Sequence, residues 1–474
     1  MKQKDDKLGL WLLVFVGIGS MIGSGIFNSP KDLIHVANPQ SALIAWIIGG
    51  LGALMLAFVF IFLANRKPNL TSGIYEYAKD GFGDYMGFNA AWGYWSLGWL
   101  GNVSYLVLFF KTLNDLLGDK ALSPTICFWA GSAILWIYYF IIRAGIKEGA
   151  ITNFIVTVAK LIPIVLAVVA GIGLLNPEIF HVADWQHTLA STGQKTDVVS
   201  QIGDAMAIIL WCFVGVESAS VLSGRAADQK TVQQATLISV LTVLAIYVLL
   251  TVISMSAIPA KELHASPTPM ALLLEKTSIG QTGAVIVKLG IMLSVLGAGL
   301  SWTLLSVETM YAAARDGVMP KILAKENRKK TPTSALLLTQ LFTQFFLLAI
   351  LSPNMNNTYL AAITVGTSLV LIPYFLSSLY AVKISWRDKI TGRNFRFFTI
   401  SVLGTIYSIY VIVSVGLRYL IFTVLFYAVG IILFIKAKKE KNESIKEWEK
   451  IVMVFLCVIA AMLIYLLLSK KIDL

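Results

Sequence analysis

Gly19-Ser20-Met21-Ile22-Gly23-Ser24-Gly25-Ile26-Phe27 lies in the middle of the first apolar stretch, residues 9–30. That stretch is long enough to cross a bilayer. Its centre carries Gly23 and Gly25 with Ser24 between them. Glycine inside a helix costs roughly 0.8–1 kcal/mol relative to alanine, so two of them at mid-depth predict a helix that breaks. In lipid a broken backbone survives only where protein or a wet cavity satisfies the freed N–H and C=O groups. Such a break exposes amides for a carboxylate and carbonyls for a cation. The same glycines also serve close helix packing, and the stretch alone leaves both readings open.

The rest of the chain is of the same membrane type. Of 474 residues, 57% are hydrophobic and 14% charged, with a mean hydropathy of +0.76. Apolar runs fall at about 9–30, 41–64, 85–110, 122–142, 150–174, 199–223, 233–257, 282–312, 333–351, 358–382, 397–416, 418–435 and 451–469, a reading of thirteen spans. Reading 397–435 as one long helix would make twelve. With the N-terminus cytoplasmic, 27 of the 38 Lys and Arg fall in cytoplasmic loops and 9 in outer loops, the asymmetry of a positive-inside protein. The C-terminus is then extracellular. The net charge of +12 is spread over many short loops, which speaks against a nucleic-acid partner. The first run is too long for a cleavable signal and lacks a small-residue cleavage site. Cys127, Cys212 and Cys457 all lie in apolar spans, as packed, reduced residues with no disulfide framework. His35, His181, His187 and His264 all fall in expected outer loops, so no buried histidine metal site is expected.

Seven further features stand out. The sixth span reads Leu210-Trp211-Cys212-Phe213-Val214-Gly215-Val216-Glu217, and an acid inside a membrane span is a functional-site hypothesis by default. Glu217 could sense a proton or cation, or simply pair with Lys160 or Lys288. Lys160 itself lies at mid-membrane, where a charge costs at least ~2.5 kcal/mol. It needs backbone carbonyls or an acid, in a structural or a coupling role. Asn102, in the third span, either bonds to a neighbouring helix or faces a cavity. Trp211 and Trp302 are buried indoles that pack, or that accept a cationic group over their rings. Ser29-Pro30 is expected to end the first helix, and Tyr75-Glu76-Tyr77 to lie at the membrane interface. Residues 436–450 read as a solvated charged connector.

Gly215 weakens span six as Gly23 and Gly25 weaken span one. The two weak points are five spans apart, an odd offset that inverts topology, which is the pattern of an inverted repeat around a central site. The division is a cytoplasmic tail (1–8), a first repeat (9–174), a second repeat (199–382), two further helices (397–435), the connector (436–450) and an extra C-terminal helix (451–474).

GSMIGSGIF (19–27), YWSLGWLGN (94–102), LWCFVGVESASV (210–221), GLSWTLL (299–305) and AARDGVMPK (313–321) carry a family resemblance. The chain resembles the basic amino acid/polyamine antiporters of the amino acid–polyamine–organocation superfamily, over roughly residues 9–435. The resemblance implies an all-α, five-plus-five inverted-repeat (LeuT-like) fold with helices 1 and 6 discontinuous, in a bacterial cytoplasmic membrane, with no cofactor and no metal, and in some members a homodimer. It implies that Ser24 and Gly25 hold a substrate carboxylate, that Ile22 and Gly23 hold its amino group, and that Ile26, Cys212 and Val214 border the same site. Trp211 would cover the side chain, Trp302 would frame the pocket, and Asn102, Gly98 and Tyr105 would meet the side-chain end. Tyr94 and Tyr374 would belong to gates, with Trp302, and Glu217 and Lys160 to proton or charge coupling. Tyr105 stands where the arginine/agmatine exchangers have Met, and Gly98 where they have Cys. Those exchangers have twelve spans and lack the lysine. These departures point toward exchange of arginine for ornithine, with histidine/histamine or another amine exchange, or proton symport, as alternatives. A transport-inactive sensor would need a signalling domain, and enzyme motifs are missing.

Overall fold

A computed structural model describes residues 7–188, 195–351, 355–390, 395–414 and 417–469. Lys2, Lys4, Arg393, Lys470 and Lys471, all used in the topology count, lie outside the described residues. The first apolar run is two helices, α1 (Leu10–Met21) and α2 (Gly25–Val36). They are followed by α3 (Pro39–Arg66), the short α4 (Ile74–Phe82), α5 (Asp84–Leu117), α6 (Pro124–Ala144) and α7 (Ile146–Ile172). The single turn α8 (Pro177–Phe180) and a small antiparallel hairpin of β1 (His187–Thr188) and β2 (Lys195–Thr196) lead to the second half. There α9 (Val198–Phe213) and α10 (Ser218–Val221) form the second broken segment. Next come α11 (Gln229–Ala257), the short α12 (Ala260–Ala265) and α13 (Pro269–Glu275), then α14 (Gly280–Arg315), α15 (Thr333–Phe346) and α16 (Met355–Ile390). The chain finishes with α17 (Phe395–Ser414), α18 (Leu417–Lys441) and α19 (Glu447–Leu468).

Local chemistry sets the helix starts. Asn38 and Asp228 accept from the amides of Ser41 and Thr231, at 2.8 and 2.7 Å, and Pro39 follows its cap as the first helical residue. Ten helices among the described residues are long and apolar enough to cross a membrane. The apolar part of α7, α9 and the Trp-, Tyr- and Gly-rich α5 fall outside that set, so length and hydropathy alone do not establish thirteen crossings. The segments at 397–416 and 418–435 are separate helices, α17 and α18.

The centre is built by α1, α5, α14 and α16. Small residues let the surrounding helices close on it. A Cβ at Gly49 would lie 2.4 Å from Ile209, and one at Gly52 would lie 2.2 Å from the Tyr407 ring, so these glycines serve packing. The start of the chain is tied to the end of the second broken segment. The Leu8 amide donates to the Arg225 carbonyl at 2.8 Å, and the Ala227 amide donates to the Leu8 carbonyl at 3.0 Å.

Five expectations fail here. Pro30 does not end the first helix, because α2 continues through it to Val36. Burial of Leu33 and Ile34 beyond it, at about 1.5–3 kcal/mol each, offsets one missing hydrogen bond. Tyr75, Glu76 and Tyr77 are buried on α4 instead of sitting at an interface. Burial raises the Glu76 carboxyl above its ordinary range, and the Ser72 amide, 2.7 Å away, offsets part of that rise. The charged connector is only partly solvated, since Lys438 is buried against Asp84 (2.6 Å) and Glu443 (2.8 Å), and Glu449 is also buried. Cys127 and Cys212 are buried, but Cys457 is exposed on α19. His35 sits on α2, inside the first span instead of in a loop, whereas His264 lies on the short α12 between two spans.

Candidate functional site

Both weak points in the sequence are breaks, and they touch. α1 stops at Met21, and α2 begins at Gly25 with no side chain capping its first turn. α9 stops at Phe213, and Gly215 takes φ +112°, a conformation that favours glycine. A Cβ at Gly215 would lie 2.6 Å from Ser20 Oγ. That hydroxyl is within hydrogen-bond reach of the Gly17 and Gly215 carbonyls and of Ser218 Oγ, at 2.9, 3.3 and 3.2 Å.

The freed carbonyls at the end of α1 are taken by side chains. Lys160 donates to Gly19 O at 3.0 Å and to Ile22 O at 2.5 Å. Tyr247 Oη donates to Met21 O at 3.1 Å, and Trp302 Nε1 to Ser20 O at 3.1 Å. With this end closed by protein donors, α2 begins with no side chain capping its first-turn amides, at the positive end of a helix.

Between the breaks lies a narrow, nearly closed cavity of about 10 Å³, close to the room one water molecule needs. Ser20, Met21, Gly23, Ser24 and Gly25 form one side of it. Tyr105, Val214 and the indoles of Trp211 and Trp302 form the rest. Trp211 Nε1 donates to Ser24 Oγ at 3.3 Å, and the Tyr105 and Trp211 rings lie 6.4 Å apart. The glycines permit this closeness, because a Cβ at Gly23 would meet Tyr105 at 3.0 Å and one at Gly25 would meet Tyr247 Oη at 3.0 Å. Among the described residues the lining carries no charged side chain.

Of the residues expected at the site, Gly23, Ser24, Gly25, Tyr105, Trp211, Val214 and Trp302 line the cavity. Ile22, Ile26, Gly98, Asn102, Cys212 and Glu217 are behind it. Asn102 Nδ2 donates to Thr303 Oγ1 at 2.8 Å, and Gly98 lies against Ser306, whose Oγ would be 1.6 Å from a Cβ there. Ser20 and Met21 line the cavity and were not anticipated. They stand inside GSMIGSGIF itself, and the signal was their position on the last turn before the break.

Glu217 is buried and pairs with neither lysine considered for it. It accepts from Tyr94 Oη at 2.6 Å, from Tyr374 Oη, and from the Gly215 amide at 3.3 Å. Lys288 instead meets Asp115 at 2.8 Å. Tyr94 and Tyr374 therefore converge on one carboxylate, with the Tyr94 ring 5.7 Å from that of Trp302. Beyond this knot, on the side of Leu8, Arg225 pairs with Glu308 at 2.7 Å, and Tyr75 Oη and Lys79 Nζ both reach Asp316 at 3.1 Å. On the opposite side Lys31 Nζ donates to Ser266 O at 2.8 Å, and Thr268 Oγ1 to Asp115 at 3.2 Å. The cavity is thus bridged on both sides. Among the described residues, no group of three or more His, Cys, Asp and Glu side chains could hold a metal ion.

Comparison with known proteins agrees with this architecture. An arginine/ornithine antiporter from Pseudomonas aeruginosa is 39% identical over 94% of this chain and 93% of its own length. An arginine/ornithine antiporter from Latilactobacillus sakei is 33% identical over 99% of both chains. An arginine/agmatine antiporter from Chlamydia abortus is 33% identical over 100% of this chain and 99% of its own. A solved structure of a Na+-coupled sialic acid symporter, in a substrate-bound outward-open state, superposes with a TM-score of 0.55 at 12% identity, covering 86% of this chain and 89% of that one. That likeness shows the fold, a LeuT-like transporter fold with the first and sixth spans discontinuous. The amino acid permease profile matches residues 8–418, and the chain belongs to the amino acid permease family.

Proposed function

We propose that this membrane protein is an amino acid antiporter that exchanges external arginine for internal ornithine by alternating access. The observation that carries the reading is the pairing of uncapped α2 amides with two indoles across one small cavity. An α-amino acid needs both ends recognised. The amides at Ser24 and Gly25 suit its carboxylate, and Gly23, on the cavity wall beside them, would meet its amino group. Trp211 and Trp302 suit a cationic side chain through their ring faces, at about 0.5–2 kcal/mol each. Two antiporters of arginine and ornithine among the relatives support the same pair.

Exchange requires that the empty carrier does not cross. A substrate that fills the cavity stabilises the closed form, and only a filled carrier crosses it. The first experiment is counterflow in proteoliposomes. Vesicles loaded with unlabelled arginine should take up labelled arginine, with ornithine competing and agmatine failing. Uptake into empty vesicles driven by a pH gradient would replace exchange with proton symport. Histidine uptake into histidine-loaded vesicles without arginine uptake would move the substrate to the amine-exchange branch. A Glu217→Ala carrier that handles cationic substrates like the parent would remove Glu217 from charge recognition.

Thirteen crossings, a cytoplasmic N-terminus and an extracellular C-terminus complete the proposal, resting on the 27-to-9 split of basic residues. Labelling of single cysteines in intact cells by an impermeant reagent tests that orientation. Two repeats, 9–174 and 199–382, place the paired breaks at equivalent positions. A homodimer is part of the proposal by the resemblance alone, and the mass of the particle in lipid nanodiscs tests it.

A further inference from the structure

We propose that His35 and His264 form a proton-operated latch that holds the α12–α13 cover on half-helix α2 and opens when both imidazoles are charged. The inference rests on the reading of α2 as one wall of the transport site. The two residues come from segments 229 positions apart, yet His35 Nδ1 and His264 Nε2 are 2.5 Å from each other. Their rings meet edge to edge in nearly one plane, with centroids 4.7 Å apart and planes within 22°. One ring nitrogen must donate and the other accept. A neutral pair meets that need, and so does a pair carrying one extra proton. A second extra proton leaves two N–H groups facing each other on two adjoining cations, and the pair has to separate.

The surroundings reinforce this direction. Lys31, one turn earlier on α2, reaches over to Ser266 O. From β1, His187 Nε2 lies 3.2 Å from the His35 carbonyl oxygen. The acids on the neighbouring elements are engaged elsewhere. Glu262 on α12 pairs with Lys276 at 2.7 Å. Asp115 on α5 pairs with Lys288 and accepts from Thr268. Asp32 on α2 lies near Lys31 and Lys111. The latch therefore sits beside the Lys31 cation, and among the described residues neither ring has an ion pair or hydrogen bond to a carboxylate that would neutralise a second charge. His35 lies ten residues beyond Gly25 on the same helix, about 15 Å along the axis. Release would free the far end of the helix whose first turn faces the cavity. The second proton is added beside an existing positive charge, so it goes on at the acid end of the histidine range of about pH 5 to 8, and acid on the α12–α13 face unlocks the cover.

Hydrogen exchange reads the latch without requiring transport, so failure of the latch and failure of the substrate reading are separable. The full chain in nanodiscs is labelled at pH 7.5 and 5.5, with labelling times scaled to the chemical exchange rate. In the parent, exchange of residues 260–275 should rise at least about fivefold on acidification, the equivalent of one net hydrogen bond lost. In His264→Gln, and separately in His35→Gln, it should stay flat and slow, because the glutamine amide pairs with imidazole in either protonation state. His187→Gln should keep the rise. No rise in the parent, or an equal rise in both glutamine variants, overturns the proposal.

Discussion

The Lys160 ammonium donates to the Ile22 carbonyl oxygen at 2.5 Å, so a cation on α7 closes the open end of α1. The same nitrogen reaches Gly19 O at 3.0 Å, and Ser294 Oγ lies 3.4 Å from Ile22 O. A charge that would be costly in lipid is here solvated by backbone that the helix break has freed. Hydrogen bonds to a charged group are worth about 1.5–3 kcal/mol each. Lys160→Met should lower the thermal unfolding midpoint in detergent and cut counterflow at least about tenfold, the rate equivalent of 1.4 kcal/mol. Parental values for both would show that the carbonyls find other partners.

Glu217 joins Tyr94 and Tyr374 at one buried point. Glu217→Gln keeps an oxygen acceptor but no charge, whereas Glu217→Ala leaves two buried hydroxyls unpaired, at about 1–3 kcal/mol per group. The alanine variant should be the less stable of the two and the slower exchanger. The glutamine variant should exchange at a rate that varies less with pH than the parent. Thermal melts and counterflow between pH 5 and 8 check both statements.

Gly98 and Ser306 share one space across α5 and α14, since a Cβ on Gly98 would lie 1.6 Å from Ser306 Oγ and 2.9 Å from its Cβ. Gly98→Ala should destabilise by about 1–3 kcal/mol, the usual cost of overpacking. Gly98→Ala with Ser306→Gly should recover most of that loss. A double-mutant cycle on thermal stability measures the coupling, and additive effects would show that the two helices separate independently.

Gly52 on α3 meets the Tyr407 ring of α17 with no space for a methyl group. Gly52→Ala should lower stability by about 1–3 kcal/mol, and Tyr407→Leu should relieve it in the double variant. The check is the shift in unfolding midpoint of the single and double variants.

The two breaks were legible because glycine at mid-membrane has few explanations, and Gly23, Gly25 and Gly215 all proved to be places where chain or ring comes close. Lys160 and Glu217 were legible as charges in apolar runs, but their partners were not. One is held by carbonyls and the other by tyrosines from α5 and α16. No local pattern encodes that. Pro30 misled because a proline's local effect says nothing about the Leu33 and Ile34 burial that carries α2 past it. Tyr75-Glu76-Tyr77 misled because α4 is short and its cover comes from residues such as Asp316, far along the chain. Ser20 and Met21 went unremarked because a cavity wall follows from where a helix stops, to within a residue or two.

The Leu8 pairing couples distant parts of the fold mechanically. Its two hydrogen bonds run through backbone, to Arg225 and Ala227, so side-chain identity at position 8 matters less than the ability to donate and accept. α1 cannot tilt away without dragging the chain that leaves α10, and the two breaks at the site are yoked from a point well outside it. Leu8→Pro, which removes the donor, should therefore uncouple the strokes of the two half-helices and raise leak uptake into empty vesicles, while Leu8→Ala should not. An uncharged residue near the start of the chain would then govern how faithfully outward movement of one substrate is geared to inward movement of the other.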